Sequence, residues 1–163
     1  MITRRTLLGT TALSYQRILG ANERVQLGLI GAGGRGQHVM GQFIKSQRID
    51  VRAVCDVFAE RIDSAQQKAP GAKGFRDHRK LLDEKTVDAV LIATPDHWHS
   101  GCAIDALHAG KDVYVEKPLT LKIEEGPAIV KAARVNNRIC QVGMQQRSGS
   151  HYLEAKEKYF KSG

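Results

Sequence analysis

Apolar residues along this chain fall into short runs that alternate with stretches of helical spacing. Runs at Val25–Ile30, Ile49–Cys55, 87–93, 112–115 and 139–142 have the length and β-branched content of strands, and Phe75 marks a shorter one. The run 87–93 is almost continuously apolar, as befits a strand covered on both faces of a parallel sheet. Between the runs, Val39, Met40, Phe43 and Ile44 share one face of a helix predicted over 34–46. A second helix is predicted over 59–68, stopping before Pro70 and Gly71. Asp77 is placed to cap a third over 78–84, with Leu81 and Leu82 turned inward. Further helices are predicted over 100–109, closed by Gly110, over 120–137, and over 149–161, where amphipathicity is weak. Strand and helix patterns alternate without internal repeats or a low-complexity linker. The expected fold is α/β, a right-handed, doubly wound parallel sheet. A chain of 163 residues is long enough to give such a sheet a proper core.

The first strand runs directly into Gly31-Ala32-Gly33-Gly34-Arg35-Gly36, a G-x-G-x-x-G sequence. Gly31 permits a tight turn, Gly33 brings backbone close to a pyrophosphate, and Gly36 lets the next helix pack on the strand. That helix directs free N–H groups and a positive dipole end at the phosphates. In a chain with 16 glycines the motif alone says little, and a glycine-rich surface turn is the alternative. Its context is what carries weight: a strand before it, a helix pattern after it, and Asp56 at the end of the second strand, 20 residues past Gly36. A carboxylate there accepts hydrogen bonds from ribose hydroxyls and repels a 2′-phosphate, so the expected cofactor is NAD rather than NADP.

Composition changes this picture little. Apolar content of 42% and charged content of 26% are those of an ordinary globular chain. The formal charge is +8, part of it in residues 1–24, which hold four Arg and one Glu. The rest is spread out, with no basic block or interleaved aromatics, so solvated helix faces account for it better than a nucleic-acid surface. Cys55, Cys102 and Cys140 are far apart and form no C-x-x-C pair, which points to free buried thiols rather than disulfides or zinc. Arg4-Arg5 leads into a short apolar stretch ending near Ser14, so residues 1–22 read as a twin-arginine export leader to the periplasm, with a frayed basic terminus as the alternative. No apolar run approaches the roughly 18 residues a membrane span needs.

Ligands of such sheets bind at the carboxyl ends of the strands, so the loops there are the ones to read. After the first strand, Arg35 is a charge available beside the pyrophosphate. Arg61 lies a turn and more beyond Asp56 and reads as surface. After the fourth strand come Thr94, Pro95, Asp96, His97, Trp98 and His99. Pro95 stiffens this loop. Two histidines and a tryptophan suit a loop over the nicotinamide end of the cofactor; helix capping is the plainer reading for one histidine, and no carboxylate–His cluster supports a metal. After the fifth strand, Glu116 and Lys117 leave on opposite sides. Lys117 at the sheet mouth suits an acid/base acting on a substrate hydroxyl, provided burial or a neighbouring cation lowers its pKa from roughly 10.4. On spacing alone, a surface lysine before a turn proline fits equally well. After the sixth strand, Gln145 and its polar neighbours can reach the same pocket.

Together these loops resemble the Gfo/Idh/MocA oxidoreductase family, named for glucose–fructose oxidoreductase, inositol dehydrogenase and a rhizopine-catabolism protein. The resemblance covers residues 25–147. It rests on the glycine motif, Cys55-Asp56, Ala93-Thr94-Pro95 with His99, Ala109-Gly110-Lys111-Asp112-Val113, and Glu116-Lys117-Pro118-Leu119. It implies an NAD(P)-binding domain over 23–148, followed in relatives by a second α/β domain that supplies most of the substrate pocket, the oligomer contacts and a catalytic histidine. That domain is absent from this chain, whose residues 149–163 are expected to lead toward it. The resemblance implies that Lys117 is catalytic, that Thr94, Pro95 and His99 contact the cofactor, and that the Lys117-Pro118 bond is cis. Asp96 stands where the family pattern has asparagine. Exported members with twin-arginine leaders occur in the family. The expected activity is NAD-dependent hydride transfer on a sugar, inositol or related polyol. An NAD-dependent glycosidase and a dinucleotide-binding domain without turnover are the alternatives. Residues 1–163 alone are expected to bind NAD and turn over little substrate.

Overall fold

The computed structural model describes residues 24–160. The leader expected over 1–22 lies outside them. Six strands form one parallel sheet: β1 (Val25–Ile30), β2 (Ile49–Cys55), β3 (Lys73–Phe75), β4 (Ala89–Ile92), β5 (Asp112–Glu116) and β6 (Cys140–Gly143), in the spatial order β3-β2-β1-β4-β5-β6. The helices are α1 (Gly34–Ile44), α2 (Ala59–Lys68), α3 (His78–Leu82), α4 (His99–His108), α5 (Glu125–Val135) and α6 (Ser150–Tyr159). This is the expected doubly wound sheet. Its strand order reverses between β1 and β4, which opens a crevice at the carboxyl edge.

Period-2 alternation in the central strands feeds two cores. On one face Leu27, Leu29, Val54 and Leu91 pack against Val39 and Met40 of α1 and Ala65 of α2. On the other, Ile30, Cys55, Val90, Ile92, Val113 and Val115 meet Leu81 and Leu82 of α3, Ala103, Ala106 and Leu107 of α4, and Ile129 and Ala132 of α5. Leu29, Val54, Val90, Leu91, Ile92 and Val115 have no exposed surface. With both faces covered, alternation cannot show as polar against apolar, so β4 reads as an unbroken apolar run.

The expected caps are present. The Asp77 carboxylate accepts the Arg79 N–H at 2.9 Å, and Gly110 ends α4 at φ +73°. One boundary differs by more than two residues. The helix expected from residue 120 begins at Glu125, because Pro127 is tolerated only in a first turn. The turn ahead of it is held by the Glu125 carboxylate, which accepts the Leu121 N–H at 2.9 Å. At the far end of the sheet, buried Lys111 donates to the carbonyls of Glu84 (2.9 Å) and Val87 (2.7 Å), closing the α3–β4 turn. Helix α6 lies at the surface with no buried residue.

A candidate dinucleotide site at the carboxyl edge

Gly31 turns the chain out of β1 at φ +91°, and a Cβ there would stand 2.7 Å from the backbone of Ala93 and Thr94. A Cβ on Gly36 would stand 1.9 Å from the Gly31 carbonyl oxygen, so only glycine lets α1 start this close to the strand. Gly33 is the N-cap of α1, supplies no side-chain cap, and the first turn holds no acid. The leading N–H groups of α1 are thus left to an anion from outside. Gly34 borders open space.

Asp56, 7% exposed, ties β2 to this loop. Its Oδ2 accepts the Ala32 N–H at 2.8 Å and its Oδ1 accepts the Phe58 N–H at 3.0 Å. Each oxygen keeps a second lone pair for a further donor. Beside it opens a cavity of about 390 Å³ whose walls include Ile30, Gly31, Val57, Thr94, Pro95, Trp98 and Cys102. The walls are mainly apolar, which suits a purine ring. Within this crevice the Thr94 hydroxyl is buried without a hydrogen-bond partner. An orphaned buried hydroxyl is costly unless a ligand completes it. The glycine cradle, the uncapped helix and this hydroxyl fit a dinucleotide that spans the crevice.

The predicted residues divide into two neighbourhoods. Gly31, Asp56, Thr94, Pro95 and Trp98 line the cavity over β2 and β3. Trp98, expected over the nicotinamide end, shares a cavity wall with Asp56 and Val57, its ring 6.4 Å from that of His78. His97 is exposed. Arg35, Glu116 and Gln145 gather over β5. Arg35 Nη2 donates to Glu116 Oε1 at 2.8 Å, and the Gln145 amide oxygen, in the orientation that satisfies its neighbours, accepts from Arg35 at 3.3 Å. Glu116 is 3% exposed, so the Arg35 charge is spent on a buried carboxylate.

His99 joins the two neighbourhoods. It is 1% exposed, with Nε2 2.9 Å from the Thr94 carbonyl oxygen and Nδ1 2.5 Å from that of Pro118. The ring therefore holds the loop after β4 against the loop after β5. The Lys117-Pro118 bond is cis. Lys117 itself is exposed at the mouth of the sheet. Among the described residues no group of three or more His, Cys, Asp or Glu is set to hold a metal ion. Burial pushes the Cys55 and Cys102 thiols up to about 12.

Arg61, read as surface, is exposed, and its side chain also lies beside the glycine loop. Side chains of an α-helix lean toward its N-terminus, and the N-terminus of α2 faces the carboxyl edge of the sheet. Arg61, in the first turn, therefore reaches back, its Nη1 3.7 Å from where a Gly33 Cβ would lie and 3.9 Å from Asp56 Oδ1. A basic residue one turn into the helix after Asp56 was the available signal.

Comparison with known proteins agrees with the geometry. Residues 25–144 match the model of the oxidoreductase family with an NAD-binding Rossmann fold, Gfo/Idh/MocA. An NAD-binding protein from Listeria innocua is 35% identical with a TM-score of 0.79 over 86% of this chain and 40% of its own. Myo-inositol dehydrogenase from Lactobacillus casei, solved with NAD(H) and myo-inositol, is 28% identical with a TM-score of 0.76 over 83% of this chain and 41% of its own. The alpha-N-acetylgalactosaminidase of Shewanella oneidensis is 33% identical over 129 residues, 74% of this chain and 28% of that protein. The chain thus spans under half the length of the proteins it resembles. With its glycine cradle, its acid after β2 and a match across residues 25–144, this chain belongs to the Gfo/Idh/MocA family of NAD-binding oxidoreductases.

Proposed function

We propose that residues 23–148 hold the nicotinamide coenzyme of an oxidoreductase acting on a sugar, inositol or related polyol. The observation that carries the reading is the conjunction of the cradle at Gly31, Gly33 and Gly36 with the unpartnered Thr94 hydroxyl and the Asp56 carboxylate, which line one cavity beside it. When bound, the coenzyme supplies hydride exchange with a carbon bearing oxygen. The chain's own residues bind and orient. The N–H groups opening α1 face the diphosphate, and Asp56 accepts from ribose hydroxyls. Pro95 and Trp98 flank the cavity beside Asp56, where the adenine ring is accommodated. His99 keeps the loops after β4 and β5 in register.

Lys117 is the acid/base of this reading. Lys117 follows β5 directly at the carboxyl edge of the sheet and is exposed. It moves a proton at the substrate hydroxyl. The substrate-binding domain that follows in relatives, with its histidine, completes the pocket. In the full-length enzyme Lys117→Ala should lower kcat by about 10²–10⁴-fold while NADH affinity stays within a factor of three. Unchanged turnover would remove Lys117 from the chemistry.

A second reading, a glycosidase that oxidises its substrate transiently and eliminates the aglycone, draws support from the similarity to the Shewanella oneidensis alpha-N-acetylgalactosaminidase. Absorbance at 340 nm separates the two. A dehydrogenase accumulates NADH with its substrate. A glycosidase of this type releases the leaving group with no net NADH.

The export leader read at 1–22 places the mature protein in the periplasm under this proposal. A homo-oligomer of the full-length enzyme, as the family resemblance implies, is part of the same proposal.

A further inference from the structure

Glu116 is a buried carboxylate at the last position of β5, immediately before Lys117. It shares a sheet face with Tyr114, two residues earlier. Both reach over Gly143 of β6, where a Cβ would stand 2.8 Å from the Tyr114 hydroxyl and 3.0 Å from Glu116 Oε1. The backbone of Glu116 is held on one side only. Pairing with β4 stops at Val115, and Glu116 with Gly143 is the last rung of the ladder to β6. A carboxylate this far from water needs a cation against it. Arg35, the second residue of α1, supplies it, its Nη2 donating to Glu116 Oε1 at 2.8 Å. The same nitrogen lies 3.3 Å from the Gln145 amide oxygen, in the orientation that lets the Gln145 amide nitrogen donate to the Gly143 carbonyl oxygen. One guanidinium thus ties the start of α1 to the end of β5 and to the loop after β6. Beyond Lys117, His99 holds the Pro118 carbonyl oxygen. Lys117 is the exposed residue between two anchored neighbours.

We infer that Arg35 is a positioning residue for Lys117, acting through Glu116, and not a ligand of the coenzyme diphosphate. The inference rests on the reading of Lys117 as the acid/base and adds the group that keeps it in place. The place of Arg35 in the glycine motif points to the diphosphate. Its Nη2 is instead engaged over β5, and the diphosphate has the N–H groups that open α1. Without the guanidinium, Glu116 becomes a buried charge with no cation, and it gains by turning out to water. Because its backbone is paired on one side, that turn loosens the end of β5 and moves Lys117.

Chain 1–163 carrying Arg35→Ala, Arg35→Lys or the double change Arg35→Ala with Glu116→Gln tests this without a substrate. In the unaltered chain the ¹⁵N heteronuclear NOE of the Lys117 amide should match those of β5. It should fall below them in Arg35→Ala and in the double variant, and recover in part in Arg35→Lys, which keeps the charge on a shorter reach. Arg35→Ala should lower the urea midpoint, and adding Glu116→Gln should restore at least half of the loss, since no charge is then stranded. NADH affinity, followed by coenzyme fluorescence, should stay within about threefold in the double variant, which also supplies the NOE reading should Arg35→Ala not fold. A Lys117 amide as ordered in the variants as in the unaltered chain would overturn the inference. So would a double variant whose loss of stability is the sum of the two single losses. NADH weakened more than about tenfold in the double variant would make Arg35 a ligand of the diphosphate and overturn it too. An unaltered chain that binds no NADH would overturn the dinucleotide reading, and the role of Arg35 with it, whatever the Lys117 amide does.

Discussion

The buried carboxylate of Asp56 accepts the backbone N–H of Ala32 at 2.8 Å, so the end of β2 sets the shape of the loop that leaves β1. The acid thereby does two jobs: it presents lone pairs to the ribose and it fixes the turn that presents N–H groups to the diphosphate. Asp56→Asn puts an amide N–H₂ where one of two backbone donors must be accepted. A buried group left unmatched costs about 1–3 kcal/mol. Urea unfolding should show that loss with an unchanged m-value, and NADH binding should weaken at least tenfold. A variant of full stability would mean that the loop holds its shape without the acid.

Glycines 34 and 36 make a matched pair. A methyl group on Gly36 meets the Gly31 carbonyl oxygen at 1.9 Å, whereas one on Gly34 meets nothing within 4 Å. Gly36→Ala must push α1 away from β1, with an overpacking cost of about 1–3 kcal/mol and loss of NADH binding. Gly34→Ala should leave Tm equal or slightly higher, since alanine is the better helix former. Thermal melts of the two variants side by side decide it, and equal melts would show that close packing at Gly36 is dispensable.

His99 has no exposed surface to speak of and spans two loops through the carbonyls of Thr94 and Pro118. Both ring nitrogens face carbonyl oxygens, so the ring donates at least one N–H to them. Replacing it with alanine removes that bond and leaves a cavity, at about 2–4 kcal/mol. The larger effect is expected in function, because the loops after β4 and β5 lose their link. In the full-length enzyme kcat should fall together with stability. Stability falling alone would assign His99 to packing.

The thiols of Cys55 and Cys102 are pushed up to about 12 by burial, from an ordinary value of 9.0. A thiol-specific reagent at pH 8 should leave both untouched in the folded chain and modify them after unfolding. The sign of the pH effect follows. The folded state favours the protonated thiol, so this stability is present in full below pH 9 and drains away as pH rises toward 12. Cys140, half-buried and raised in the same direction, should react first. Fast labelling of Cys55 at pH 8 would contradict the burial.

Most of the fold was legible because its signals are local. The glycine motif, the cap at Asp77, the stop at Gly110 and the apolar strands each act within a few residues of where they are read. The start of α5 was misjudged by five residues. Apolar periodicity continues upstream of Glu125, and the veto lies in Pro127, which excludes a longer first stretch. The candidate site was legible in part. Asp56, Thr94 and Pro95 follow strand ends, and a parallel sheet brings strand ends together. That Arg61 lies 3.9 Å from Asp56 and that Trp98 shares a cavity wall with it are relations the spacing along the chain does not record.

The sequence by itself determined the strand–helix alternation, the phosphate loop with its acid 20 residues on, and the family, because hydrophobic period, backbone permissiveness and loop chemistry are written residue by residue. Only the tertiary structure decided which charges are spent and which are free. Arg35 is paired with Glu116 at 2.8 Å across 81 positions, while Arg61, more than half exposed, stands 3.9 Å from Asp56 beside the loop of Gly33. Side-chain direction at a helix terminus depends on how that helix docks on the sheet. Docking is set by packing between distant segments, and no spacing along the chain records it.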